Sequence, residues 1–114
     1  MAYVNQDAEI YVGDSKDFDV TVYDDNGDEL DLSGYSVFYY VYGGSGAPVI
    51  TKTTDDGIDV LGNGKLIVTL KRDDTKKLFG EYSHEIDLLE NQNVYTVMIG
   101  KLTVLPSVVT EVEV

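Results

Sequence analysis

The sequence predicts an all-β fold: an antiparallel Ig-like β-sandwich of about eight strands, with one short helical turn near residues 73–78. Three observations carry that prediction. Apolar and polar residues alternate over short runs, as where Phe18, Val20 and Val22 interleave with Asp17, Asp19 and Thr21. Period two with one wet face marks a strand that covers a core. Nearly every connection is built from Gly, Asn or Asp, at a spacing of about 8–12 residues. No long apolar stripe at helical spacing competes.

Ala8–Val12 reads as a short edge strand and Gly13-Asp14-Ser15 as a turn, before the strand Asp17–Tyr23. Asn26-Gly27, inside the acidic run Asp24–Glu29, is a strong hairpin signal because both residues tolerate positive φ. Asp24, Asn26 and Asp28 also have the spacing of the first EF-hand ligands. However, glycine stands fourth in that loop, not sixth, and the twelfth position is Tyr35 in place of a bidentate Glu. A solvated turn is the better reading.

Tyr35–Tyr42 (YSVFYYVY) is apolar or aromatic on both parities, Tyr35, Val37, Tyr39 and Val41 against Phe38, Tyr40 and Tyr42. Such a strand is central and covered, or it turns one face to a partner. Val49–Thr53 follows a glycine-rich connection, and Ile58–Val60 is bracketed by turns. In Lys65–Lys71 the residues Leu66, Val68 and Leu70 point inward.

Asp73–Leu78 has the look of one helical turn, with an Asp at its N-cap. Gly80 ends it and launches Glu81–Leu89, where Tyr82, His84, Ile86 and Leu88 share a face. Val94–Val104 changes its inner parity around Gly100, which suggests a bulge there. The organisation expected is an N-terminal arm over 1–7, a sandwich over 8–105 and a C-terminal β segment over 106–114.

A chain of 114 residues holds one domain with a real core. Without cysteine, disulfides, thiolate metal sites and cysteine nucleophiles are excluded. With 21 acidic against 8 basic residues, the formal charge of −13 repels phosphate backbones, so nucleic acid is not an expected partner. No apolar run reaches the roughly 18 residues that a membrane-spanning helix needs. The opening MAYVNQDAEI lacks a basic patch followed by an apolar stretch, so no secretory signal and no membrane role are expected.

No enzyme mechanism emerges. His84 is the only histidine, and a metal site or hydrolytic triad needs more partners than it has. The expected role for His84 is a packed ring with its nitrogens satisfied. The carboxylate pairs Asp55/Asp56 and Asp73/Asp74 lie in turns and read as solvated. Neither a catalytic residue nor a cofactor nor a metal is expected.

Two features are candidates for recognition. One is the aromatic face Phe38, Tyr40 and Tyr42, which stacks on sugars, packs on protein or simply packs within the sheet. The other is the pair of ends. Tyr3 and Val4 on the arm, and Val108, Val109, Val112 and Val114 on the terminal segment, would add strands to neighbouring subunits if they are not paired within the chain.

The segments GDSKDFDVTVYDDNGDELDLSGYSVFYYVY (13–42), LKRDDTKKLFGEYSHEIDL (70–88) and VYTVMIGKLTV (94–104) resemble small β-sandwich domains of phage virions, nearest to the N-terminal domain of the phage baseplate upper protein. The matching positions are Gly13-Asp14, Asp24 to Gly27, Asp31-Leu32-Ser33-Gly34 with Val37, then Asp74-Thr75, Leu78, Gly80, Tyr82 and Ile86. His84 stands where an aromatic residue is usual, and the spacing before Gly80 is one residue shorter.

The resemblance implies a non-enzymatic structural protein of the virion, assembled in the host cytoplasm. The long segments that follow the domain in baseplate upper proteins have no counterpart here, so the expectation is a head decoration, a small tail or baseplate component, or an adaptor. Its expected partners are capsid, tail or baseplate subunits and other copies of itself. The alternative is a carbohydrate-binding module that uses Tyr40 and Tyr42 as a stacking platform.

Overall fold

The computed structural model describes residues 4–44 and 46–106. Along the chain these form β1 (Val4–Asn5), β2 (Ala8–Tyr11), β3 (Lys16–Thr21), β4 (Ser36–Tyr42), β5 (Ile50–Thr54), β6 (Gly57–Gly62), β7 (Lys65–Leu70), α1 (Arg72–Thr75), β8 (Gly80–Glu90) and β9 (Asn93–Leu105). All-β with one helical turn is therefore the architecture. The nine strands make one curled sheet in the order β1-β9-β8-β4-β5-β6-β7-β3, with β2 also on β9.

The pairing is mixed and not purely antiparallel. Both β1 and β2 run parallel to β9, and a short parallel contact joins β5 to β6 across a tight kink at Asp55 and Asp56. Alternation along a strand reports its wet and dry faces but not the direction of its neighbour. That is why the parallel pairs are invisible in the sequence.

The dry faces meet where the alternation places them. β3 lies antiparallel to β7 with Phe18 opposite Val68 and Val20 opposite Leu66, and all four are buried. β4 sits between β8 and β5, sending Val37, Tyr39 and Val41 into the core beside His84, Ile86 and Leu88 of β8. Although β3 ends the sheet and β4 lies near its middle, the Phe18 ring is 5.5 Å from that of Tyr39 and 5.9 Å from that of His84. The sheet thus curls over one core, and burying each large apolar side chain there contributes about 1.5–3 kcal/mol.

Three sequence expectations need correction. The parity of β9 switches at Val97 and Met98, not at Gly100: Ile86 pairs with Met98 but Asp87 with Thr96, and Val97 and Met98 are both buried. The helical turn spans Arg72–Thr75, earlier than 73–78, and its N-cap is Lys71. There the Asp74 carboxylate accepts the Lys71 N–H at 2.8 Å, the N3-to-N-cap half of a capping box. Last, residues 4–7 are built into the sheet, with Val4 and Asn5 on β9 opposite Met98 and Ile99. The candidates Tyr3, Val108, Val109, Val112 and Val114 lie outside the described residues.

Asp74 and Thr75 also tie distant segments together. Asp74 pairs with Lys52 of β5 at 2.8 Å, and the buried Thr75 hydroxyl donates to the Asp14 carbonyl at 3.0 Å. Gly80, at φ +97°, redirects the chain into β8 in a conformation that side chains disfavour. Just before it, the Phe79 N–H donates to the Tyr82 hydroxyl at 3.0 Å.

Candidate functional site

The outer face of β4 carries a row of three aromatic side chains. Strand alternation sends Phe38, Tyr40 and Tyr42 to that side, and all three are half-buried. The Phe38 and Tyr40 ring planes lie within 4° of each other at 6.1 Å, and Tyr40 and Tyr42 follow at 6.0 Å and 40°. The register then sets β8 beside them, with Asp87 opposite Phe38, Glu85 opposite Tyr40 and Ser83 opposite Tyr42. Directly opposed side chains on one sheet face have their Cβ atoms about 5 Å apart, within reach of one another.

Glu85 and Asp87 form a carboxyl pair along this row. Burial, the hydrogen bond that protonated Glu85 donates to Asp87, and the Asp87 charge push Glu85 up to about 7. Asp87 also accepts the Thr96 hydroxyl at 2.9 Å. Burial first, and then the Asp87 and Glu85 charges, hold the Tyr40 phenol above its ordinary value. Two shallow hollows flank the row. One, of about 230 Å³, lies among Tyr42, Gly43, Glu81, Ser83 and Lys101, and the other, of about 360 Å³, among Asn5, Asp7, Glu85, Ile99 and Gly100.

His84 belongs to the scaffold. It is buried, its Nε2 is 2.7 Å from the Gln6 carbonyl oxygen, and its Nδ1 is 2.9 Å from the Tyr39 hydroxyl. A carbonyl only accepts, so Nε2 carries the hydrogen; burial holds the ring's pKa below its ordinary value, which favours the neutral ring with Nδ1 accepting from the Tyr39 hydroxyl. Gly100, opposite His84 on β9, makes this possible, because a Cβ there would collide with the Gln6 carbonyl. Asp7 closes the kink between β1 and β2 by accepting the Lys101 N–H at 2.9 Å.

No protein family matches the chain, and no curated protein matches it.

The Asp24 carboxylate is occupied by its own turn, accepting the N–H groups of Asn26 at 2.9 Å and Asp28 at 3.0 Å. Among the described residues, no group of three or more His, Cys, Asp or Glu is arranged to hold a metal ion. Of the candidates read from the sequence, Phe38, Tyr40 and Tyr42 come together, whereas Val4 packs against the core. The carboxyl pair Glu85/Asp87 was not singled out from the sequence. Its alternation with His84 and Ile86 is visible there, but its position beside Tyr40 depends on the β4–β8 register.

Proposed function

We propose that the chain is a non-enzymatic structural protein of a phage virion, a head decoration, small tail or baseplate component, or adaptor, that binds other virion proteins. The observation that carries this reading is the contact between Thr75 and Asp14. Two segments that resemble virion domains are joined there by one buried hydroxyl, through residues 61 positions apart in sequence. Asp74 and Gly80 likewise act on the backbone or on a neighbouring strand, so the resembling positions describe a scaffold and not a reaction. We read the curled sheet as the Ig-like sandwich of such domains, its two layers facing each other through Phe18 and Tyr39. On that scaffold the outer row Phe38, Tyr40 and Tyr42 is the surface offered to capsid, tail or baseplate subunits, in the virion and during assembly in the host cytoplasm.

The experiment is to purify particles from infected cells and quantify the chain by mass spectrometry, for the full chain and for a version lacking Val108–Val114. The full chain is expected at a fixed ratio to the major virion proteins, and the shortened one, still folded, at a reduced ratio. Absence of the full chain from particles contradicts the reading. Unchanged incorporation of the shortened chain removes the terminal segment as an anchor.

A second reading is favoured by the hollow beside Tyr42. Tyr40 and Tyr42 next to a polar depression with Ser83 and Lys101 suit a sugar ring, as in carbohydrate-binding modules. Specific binding on a glycan array, lost in Tyr40→Ala, would place this reading first.

A further inference from the structure

We infer that the outer face of β4 and β8 is a docking surface for an arginine side chain of a partner protein, its guanidinium set against Tyr40 and Tyr42 and bonded to Glu85 and Asp87. This rests on the reading of that face as a virion contact and names the chemistry it recognises. Tyrosine faces attract cations, and desolvation by a partner strengthens that attraction. An ionised carboxylate offers about four acceptor positions. Here only the Thr96 hydroxyl and the bond between the two carboxyls are accounted for on the pair.

The outer face carries Lys101, opposite Ser83 on β9, with its ammonium 4.0 Å from the Glu81 carboxylate; Lys52, opposite Tyr39, lies on the other face of the sheet. Among the described residues, no Lys or Arg forms an ion pair with Glu85 or Asp87. The chemistry missing from this face is therefore a positive charge that can also lie flat on a ring. Arginine supplies both, because its planar guanidinium stacks on aromatic faces and bonds carboxylates in bidentate fashion, whereas a lysine ammonium acts as a point charge.

Other occupants fit less well. A wholly apolar partner would bury two carboxyl groups without compensation. The last residues of this chain, VVTEVEV, carry two glutamates and no cation, and would be repelled. A net charge of −13 steers a basic partner towards the molecule and another copy of it away.

The test is an NMR titration of the full chain with acetyl-Gly-Arg-Gly-amide at low salt, beside the same peptide carrying uncharged citrulline. The arginine peptide is expected to shift the Tyr40 and Tyr42 ring signals saturably. Affinity should fall about tenfold in Glu85→Gln/Asp87→Asn and stay unchanged in Asp55→Asn/Asp56→Asn, which removes at least as much negative charge at the β5–β6 kink. No saturation, equal binding of the citrulline peptide, or equal loss in both variants would overturn the inference. Saturable binding of a neutral disaccharide at the same rings, in place of the arginine peptide, would overturn it in favour of a glycan. Incorporation into particles is read separately. A chain that enters particles without binding the peptide refutes arginine recognition alone, and one that binds the peptide but never enters particles refutes the virion reading.

Discussion

A tyrosine hydroxyl and a main-chain carbonyl hold the two ring nitrogens of the only histidine in the chain. Tyr39→Phe keeps the shape and removes the donor to His84 Nδ1. A buried acceptor left without a partner costs about 1–3 kcal/mol, and urea denaturation at pH 7.5 should show a loss of that size. A loss near zero would mean that the hydroxyl contributes nothing.

The same ring links stability to pH. Burial holds the folded-state pKa of His84 below its ordinary 6.5, against the weaker opposing pulls of the Gln6 carbonyl and Asp7. Below pH 6.5 the unfolded chain takes up a proton that the folded one refuses. This contribution is therefore complete above pH 6.5 and is lost as the pH falls. Glu85 has the opposite sign. Its pKa is raised from 4.5 to about 7, so its contribution is complete below pH 4.5 and is lost as the pH rises through 7. Glu85→Gln should abolish the Glu85-linked loss between pH 4.5 and about 7 and leave a curve that rises with pH to a plateau near 6.5. A variant curve parallel to the parent's would show that Glu85 is not perturbed.

Among the elements, the kink between β1 and β2 shows what one glycine position does for a sheet edge. Gly100→Ala would push the Gln6 carbonyl off His84, an overpacking that typically costs about 1–3 kcal/mol. Hydrogen–deuterium exchange should then rise at the amides of Gln6, bonded to Ile99, and Lys101, bonded to Asp7. The β3–β7 ladder should stay protected, and unchanged exchange at Gln6 would contradict this role for Gly100.

The strands themselves are legible in the sequence, because each one's alternation states its own wet and dry faces. Phe18, Val20, Leu66, Val68, Ile86 and Leu88 are buried as their parity requires. Gly100 stands out as an anomaly, but the sequence invites a bulge where the structure needs a gap for the chain across from it. What fills that gap, the Gln6 carbonyl, is set by parallel pairing between residues about a chain length apart, and no local pattern encodes it. The aromatic row is legible on the same grounds, but its carboxyl neighbours are not, since they depend on which strand lies beside β4.

Over the whole molecule, the parts divide into a scaffold and a surface. Asp74, Thr75 and Gly80 brace turns and strand crossings, whereas the row from Phe38 to Tyr42 stands on the outer face with its rings partly open to solvent. Changing Tyr40 and Tyr42 to serine should leave the core untouched, since their neighbours Tyr39 and Val41 supply the buried face of β4. The thermal transition should move little, whereas association should suffer.

The most direct test of the account is therefore the incorporation of Tyr40→Ser/Tyr42→Ser into phage particles, measured against the parent chain in the same purified preparation. The account predicts a folded variant that stays in the lysate while the parent co-purifies with particles at a fixed ratio. Equal incorporation of both chains, or absence of both from the particles, would contradict it.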